Sequence, residues 1–153
     1  MARPKKNAVD YFSHDCVPNR VLEIITKLYG NDGYAFYYRL RELLGRENQH
    51  TYNCTLYGNW EYLSVSTGVS EDKIEKIIKT LIKLKEIDKK LYEEDKIIWW
   101  QSFVDRLEDV YSRRKNNIPD KFSIFVEDDY KEPGDDDIIM QLQMDADESF
   151  RNK

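Results

Sequence analysis

Between Trp60 and Trp100 the apolar positions change period. Ile74, Ile77, Ile78 and Leu81 recur at spacings of three and four and form one helical stripe, which Ile82 and Leu84 widen. Ser70 stands ahead of them as an N-cap whose side-chain oxygen can accept from the first turn. Glu71 and Asp72 place negative charge at the positive end of the helix dipole. The spacing predicts a helix from Ser70 to about Glu86. A shorter helix from Trp60 to Thr67 precedes it, and Gly68 supplies a sharp turn between the two, because glycine takes positive φ without steric cost. Ile87–Tyr92 and Lys96–Trp100 are rich in apolar and aromatic residues on either side of Glu93-Glu94-Asp95, and this predicts a β-hairpin. Adjacent strand residues point to opposite faces, so one of Trp99 and Trp100 is expected inside and the other more exposed.

Earlier in the chain, Val21, Leu22, Ile25 and Leu28 mark a helix from Pro18 that Gly30 ends. A second helix is expected from Gly33 to Arg46, carrying Tyr34, Tyr37, Tyr38, Leu40, Leu43 and Leu44. That is more aromatic surface than one stripe needs, so an exposed tyrosine or two would mark a self-association face. Residues 51–57 alternate and predict a short strand paired with the hairpin. Phe103, Leu107, Val110 and Tyr111 mark a last helix from Ser102 to about Lys115. The expected fold class is mainly α with a small β-sheet (α+β), in the order helix, turn, helix, wing: a winged helix-turn-helix. Three segments are expected: a basic N-terminal arm and anchor over 1–16, the winged-helix domain over 17–116, and an acidic, largely disordered tail over 117–153. Within the tail, Ile138, Ile139, Met140, Leu142, Met144 and Phe150 are either scattered apolar residues or a short binding helix.

Charge refines this picture. The chain of 153 residues has a formal net charge of −5, which argues against a generic nucleic-acid binder. Residues 1–104, however, carry 16 Lys and Arg against 15 Asp and Glu, whereas residues 105–153 carry 8 against 14. The acidity therefore belongs to the C-terminal third. On the helical wheel Lys76, Lys79 and Lys83 fall together opposite the aliphatic stripe, with Thr80 near them. Lys89, Lys90 and Lys96 lie on the expected wing, and Arg3, Lys5 and Lys6 on the arm. Lysines neutralise phosphates and give affinity without much base reading, and Thr80 is the only evident base-contact candidate. Glu75, Glu86 and the acidic hairpin tip weaken the field. Two interpretations stand: a DNA-binding face, or the solvated face of a domain that binds protein. The arm likewise either follows a minor groove or serves as a solubilising tail.

Other chemistry finds little footing. His14 and Cys16 lie two apart, and His50 and Cys54 four apart, spacings that do not match the usual zinc pairs; no metal or cofactor is expected, and His14 is taken as a packed or capping residue. There is no glycine-rich phosphate loop, nucleophile elbow or HExxH motif, so no enzyme is expected. Two cysteines, no secretion signal and no apolar run of membrane-spanning length point to a cytoplasmic protein that does not enter a membrane.

The opening MARPKKNAVDYFSHD, then YGNDGYAFYYRLRELL, then WEYLSVSTGVSEDKIEKIIKTLIKLKEID, together covering roughly residues 1–115, resemble the N-terminal domain of phage and prophage replisome organizers of Gram-positive and related bacteria, the DnaD-like replication initiation proteins. The resemblance implies a non-enzymatic winged-helix domain of DNA replication initiation. Its partners would be duplex or single-stranded DNA, further copies of itself and replication proteins. Family members usually carry a further helical domain where this chain has its acidic tail, and Ser13 stands where a proline is commoner. A self-associating protein–protein scaffold is the alternative, and a transcription regulator a more distant one.

Overall fold

A computed structural model of the chain describes residues 7–122. The chain divides into two units, Met1–Lys121 and Phe122–Lys153, and of the second only Phe122 is described. Arg3, Lys5 and Lys6, the acidic run from Glu127 and the apolar tail residues lie outside the described residues.

Helix α1 spans Arg20–Arg46 and contains both expected helices, joined across Gly30 at φ 63, ψ −142. That conformation is open to glycine and strained for other residues. Asn19 starts the helix: its Oδ1 accepts from Leu22 N–H at 2.8 Å. Beyond the break the helix packs so closely on its own first half that a Cβ at Gly33 would sit 2.5 Å from the Ile25 carbonyl oxygen. Leu22, Ile25, Phe36, Tyr37, Leu40, Leu43 and Leu44 are buried, but Leu28, expected in the stripe, is 60% exposed. Tyr29 packs against the core instead. The N-terminal segment is tied down by Val9 N–H to Gly45 O and by the Phe12 ring, edge-on to Phe103.

A single 3-10 turn, Asn48–His50, leads into β1, Tyr52–Asn53. The strand is shorter than expected because Asn53 Oδ1 turns the chain, accepting from both the N–H and the hydroxyl of Thr55. Helix α2, Asn59–Thr67, ends at Gly68 in the left-handed conformation, φ 72, and α3 follows over Glu71–Lys83. Ile74, Ile77, Ile78 and Leu81 are all buried, as their spacing predicts. Ser70 holds the N-cap position with extended backbone, but its side chain makes no capping bond.

The expected hairpin is not there. Asp88 caps a short helix, α4, over Lys89–Asp95, its Oδ1 accepting from Leu91 N–H at 2.9 Å. Lysine, leucine and glutamate favour a helix here, with no β-branched residue between Lys89 and Lys96 to oppose it. The flanking residues still enter a small antiparallel sheet. Strand β2, Ile97–Ile98, pairs with β1, Tyr52 opposite Ile98 and Asn53 opposite Ile97, and Ile87 bridges Trp100. Trp99 and Trp100 are both buried. The alternation of a strand does not apply, because Trp100 already stands at the start of α5, Gln101–Asp105. A tightened turn at Arg106–Leu107, with bonds to Phe103 and Val104 carbonyls, separates α5 from α6, Glu108–Arg114. The expected single helix is thus two, with Phe103, Leu107, Val110 and Tyr111 all buried. Pro119 is also buried, and Lys121 Nζ reaches Asp88 at 2.9 Å. The described residues are therefore mainly helical, with six α-helices and one two-stranded antiparallel sheet. Among them no helix is long and apolar enough to cross a membrane.

Within the core sits one cation. Arg41 is 4% exposed, its guanidinium 4.3 Å from the centre of the Tyr37 ring and 4.5 Å from that of Trp100, and its Nε has no hydrogen-bond partner. Burial pushes its pKa down, and the two ring faces offset part of the desolvation.

Candidate nucleic-acid interface

Helix α3 places its basic residues by the same periodicity that buries its aliphatic ones. Lys76, Lys79 and Lys83 are exposed on the side away from the core. The helix is held from behind by the elbow of α1. Lys73 Nζ meets Asp32 Oδ2 at 2.6 Å. Tyr29 and Thr80 hydroxyls lie 2.7 Å apart, and both are within bonding distance of the Lys76 carbonyl, at 3.2 and 3.0 Å. Two hydroxyl protons serve these contacts: one joins the hydroxyls and the other goes to the carbonyl. Thr80, the expected base-contact candidate, thus spends its hydroxyl on α1 and on its own helix.

Between α3 and α4 runs a groove of about 770 Å³ lined by Lys79, Lys83, Lys85 and Lys89, with Ile82 and Ile87 as its apolar surface and Asp88 and Glu93 as its acids. Lys85, which the helical wheel did not single out, enters because it leaves α3 in the left-handed conformation at φ 60. Such a backbone state is uncommon outside glycine, and the pattern of apolar residues carries no signal for it. Lys90 is exposed on α4 but does not line the groove. Lys96 lies at the end of α4, its Nζ 4.7 Å from the Tyr92 ring centre. The structure thus brings Lys79, Lys83 and Lys89 together, sets Lys76 one turn earlier on the same helix, and leaves Lys90 and Lys96 outside.

The acids near this groove are mostly engaged elsewhere. Glu86 turns inward, where its Oε2 accepts from Trp100 Nε1 at 2.8 Å and from Ser102 Oγ at 2.5 Å. Asp88 divides its carboxylate between the α4 cap and Lys121. Burial alone would raise the pKa of Asp88, but the bonds from Leu91 and Lys121 outweigh it and hold the group below its ordinary value. Glu75 lies 3.5 Å from Lys79 in an exposed pair, an interaction of little strength in water. Glu93 is left as the carboxylate facing the four lysines. Glu86 itself does not line the groove.

The histidines and cysteines are dispersed. His14 is exposed and stacks on Tyr38 with ring centres 3.9 Å apart. Cys16 is exposed and Cys54 buried; burial, opposed by Lys96, raises the Cys54 thiol to about 12. His50 is fully buried between the Leu44 carbonyl and the Tyr111 hydroxyl. Among the described residues no group of three His, Cys, Asp or Glu side chains is placed to hold a metal ion.

The model of one protein family, described as Lin1244/Lin1753-like, N-terminal, matches residues 11–103. No curated protein and no solved structure matches the chain.

Proposed function

The chain belongs to the Lin1244/Lin1753-like N-terminal family, and from that footing we propose that it is a DNA-binding protein built on a variant winged helix. In this reading α2 and α3 are the helix-turn-helix. On the same reading the small sheet, with β1 beside β2 and Ile87 beside Trp100, corresponds to the winged-helix sheet, with α4 in place of the wing tip. The observation that carries the proposal is the α3–α4 groove. Four lysines line it, and of the acids around them Glu86 and Asp88 are engaged elsewhere. Such a site suits phosphate contacts, which supply affinity and position, more than base reading. The protein acts by binding rather than catalysis, in the cytoplasm, and the resemblance of its opening and α3 segments to replisome organizers favours a role in phage or prophage DNA replication initiation.

Titration of a short duplex across a range of salt tests this. Wild type should bind with an affinity that falls steeply as salt rises. Replacing Lys79, Lys83 and Lys89 with alanine removes up to three phosphate contacts and should flatten the log–log salt slope by up to about 2.7. All three side chains are exposed, so the melting temperature should hold. Equal binding and equal slopes for the two proteins would refute the proposal.

A further inference from the structure

Past α6 the chain reaches the wall of the lysine groove. Lys115 takes the left-handed conformation, φ 56, and Asn116 N–H bonds the Tyr111 carbonyl. Ile118 then packs against the core, and Pro119 is buried. These anchors bring Lys121 to the start of α4, where its Nζ meets Asp88 Oδ2 at 2.9 Å. Asp88 is one of the two acids that line the groove, and Lys121 is not among the lining residues. We infer that this strap, residues 115–121, sets the charge of the groove through Lys121, which thereby controls duplex affinity without being one of the groove lysines.

The inference rests on the DNA-binding reading and concerns the same groove. Its sense follows from the lining charges. With Asp88 answered by Lys121, the four lysines face Glu93, a net charge of +3; without Lys121 they face two carboxylates, a net charge of +2. An ion pair between two mobile surface side chains has little effect on its surroundings. This pair differs in two respects. The other oxygen of Asp88 caps α4 by accepting from Leu91 N–H, which holds the carboxylate at the groove wall. The two side chains are also only 35% and 20% exposed, and salt screens partly buried charges less than exposed ones. Loss of the Lys121 charge therefore leaves a fixed carboxylate toward any phosphate that enters the groove. One unit charge at such a wall changes affinity roughly fivefold at low salt. Lys121 and Asp88 are 33 positions apart, so helical periodicity gives no sign of the link.

Titration of the short duplex at low salt, on variants of the full chain, provides the test. Lys121→Ala should weaken binding roughly fivefold, and Lys121→Arg, which keeps the charge, should bind as wild type does. Asp88→Asn alone leaves the Lys121 charge unanswered at the groove and should tighten binding by a similar factor. Adding Asp88→Asn to Lys121→Ala removes the exposed carboxylate, keeps an acceptor for Leu91 N–H, and should restore wild-type affinity. That rescue separates charge from architecture, because a strap that only steadied the fold would stay broken in the double variant. Lys121→Ala binding as tightly as wild type, or a double variant no tighter than Lys121→Ala, would overturn the inference. Neither result would touch the DNA-binding reading, which the Lys79/Lys83/Lys89 alanine variant tests separately. A wild type without salt-dependent binding would overturn both.

Discussion

Changing Tyr111 to phenylalanine isolates one buried hydrogen bond on which the C-terminal helix depends. His50 is fully buried and its Nδ1 lies 2.9 Å from the Leu44 carbonyl oxygen. A carbonyl only accepts, so Nδ1 carries the proton and Nε2 is left as an acceptor, satisfied by the Tyr111 hydroxyl. Phenylalanine keeps the ring against His50 and removes the donor. The other tautomer cannot compensate, because it would turn a lone pair toward the Leu44 carbonyl. An unsatisfied buried acceptor costs about 1–3 kcal/mol, equivalent in a domain of this size to a fall in Tm of roughly 5–15 °C. The same site sets an acid limb. Burial lowers the pKa of His50, with Arg114 acting in the same sense and the Leu44 carbonyl opposing. The folded protein therefore binds this proton more weakly than the unfolded chain does. The contribution of His50 is fully present above the ordinary value of 6.5 and is lost as pH falls through the lowered folded-state value, at up to about 1.4 kcal/mol per pH unit. Glu47, raised by burial with Arg46 opposing, acts with the opposite sign over a window that opens upward from its ordinary value of 4.5, and the NMR titration of the His50 ring separates the two. Melts followed by circular dichroism in steps below pH 6.5, with an NMR titration of the His50 ring, check both parts. A Tyr111→Phe protein that melts within a degree of wild type, or a His50 ring that titrates at or above 6.5 while folded, would refute the reasoning.

Two further substitutions probe the scaffold. Gly33→Ala would place a methyl 2.5 Å from the Ile25 carbonyl and 2.9 Å from Ile25 Cγ2; the overlap should cost about 1–3 kcal/mol despite alanine's better helix propensity, and a raised urea midpoint would contradict it. Asp88→Asn keeps an acceptor for Leu91 N–H but ends the ion pair with Lys121, for a loss below about 1 kcal/mol. Asp88→Ala also removes the α4 cap, which is worth about 0.5–2 kcal/mol. Since the folded pKa of Asp88 lies below its ordinary value of 3.8, its contribution is present above that pH and lost as acid takes the pH through the lowered value. Equal melting temperatures for the two Asp88 variants would deny the cap any part.

Where a helix buries one face, its sequence was legible. Ile74, Ile77, Ile78 and Leu81 went inside as their spacing required, Gly68 took the positive-φ turn expected of it, and Gly30, expected to end a helix, instead breaks α1 at positive φ without ending it. The segment from Ile87 to Trp100 was misleading because its ends and its middle obey different rules. Ile87 and Ile97–Ile98 do enter a sheet, and their apolar character drew the whole segment into a hairpin. Between them Asp88 and Leu91 form a helix cap, a local signal that the surrounding apolar residues obscured. Trp99 and Trp100 escaped prediction because a two-residue strand is too short for alternation to govern its neighbours. The groove was half visible: Lys79, Lys83 and Lys89 were named from charge and position, whereas Lys85 depends on a left-handed residue.

The direction in which each carboxylate points matters more to the proposed interface than how many there are. Counted along the sequence, Glu75, Glu86, Asp88 and Glu93 match the four groove lysines and leave a neutral surface. In the fold, Glu86 is committed to Trp100 and Ser102, and Asp88 to a helix cap and Lys121. Lys121 answers the charge of Asp88 and Glu86 lies off the lining, so four lysines face Glu93 in a channel walled by two helices where a hairpin would have been a single projecting loop. The base-contact candidate is taken up as well: the Thr80 hydroxyl is bonded to Tyr29, which ties α3 to α1. On the proposed reading, then, the contacts that hold the surface in shape leave little to read bases with, and the affinity has to come from phosphates.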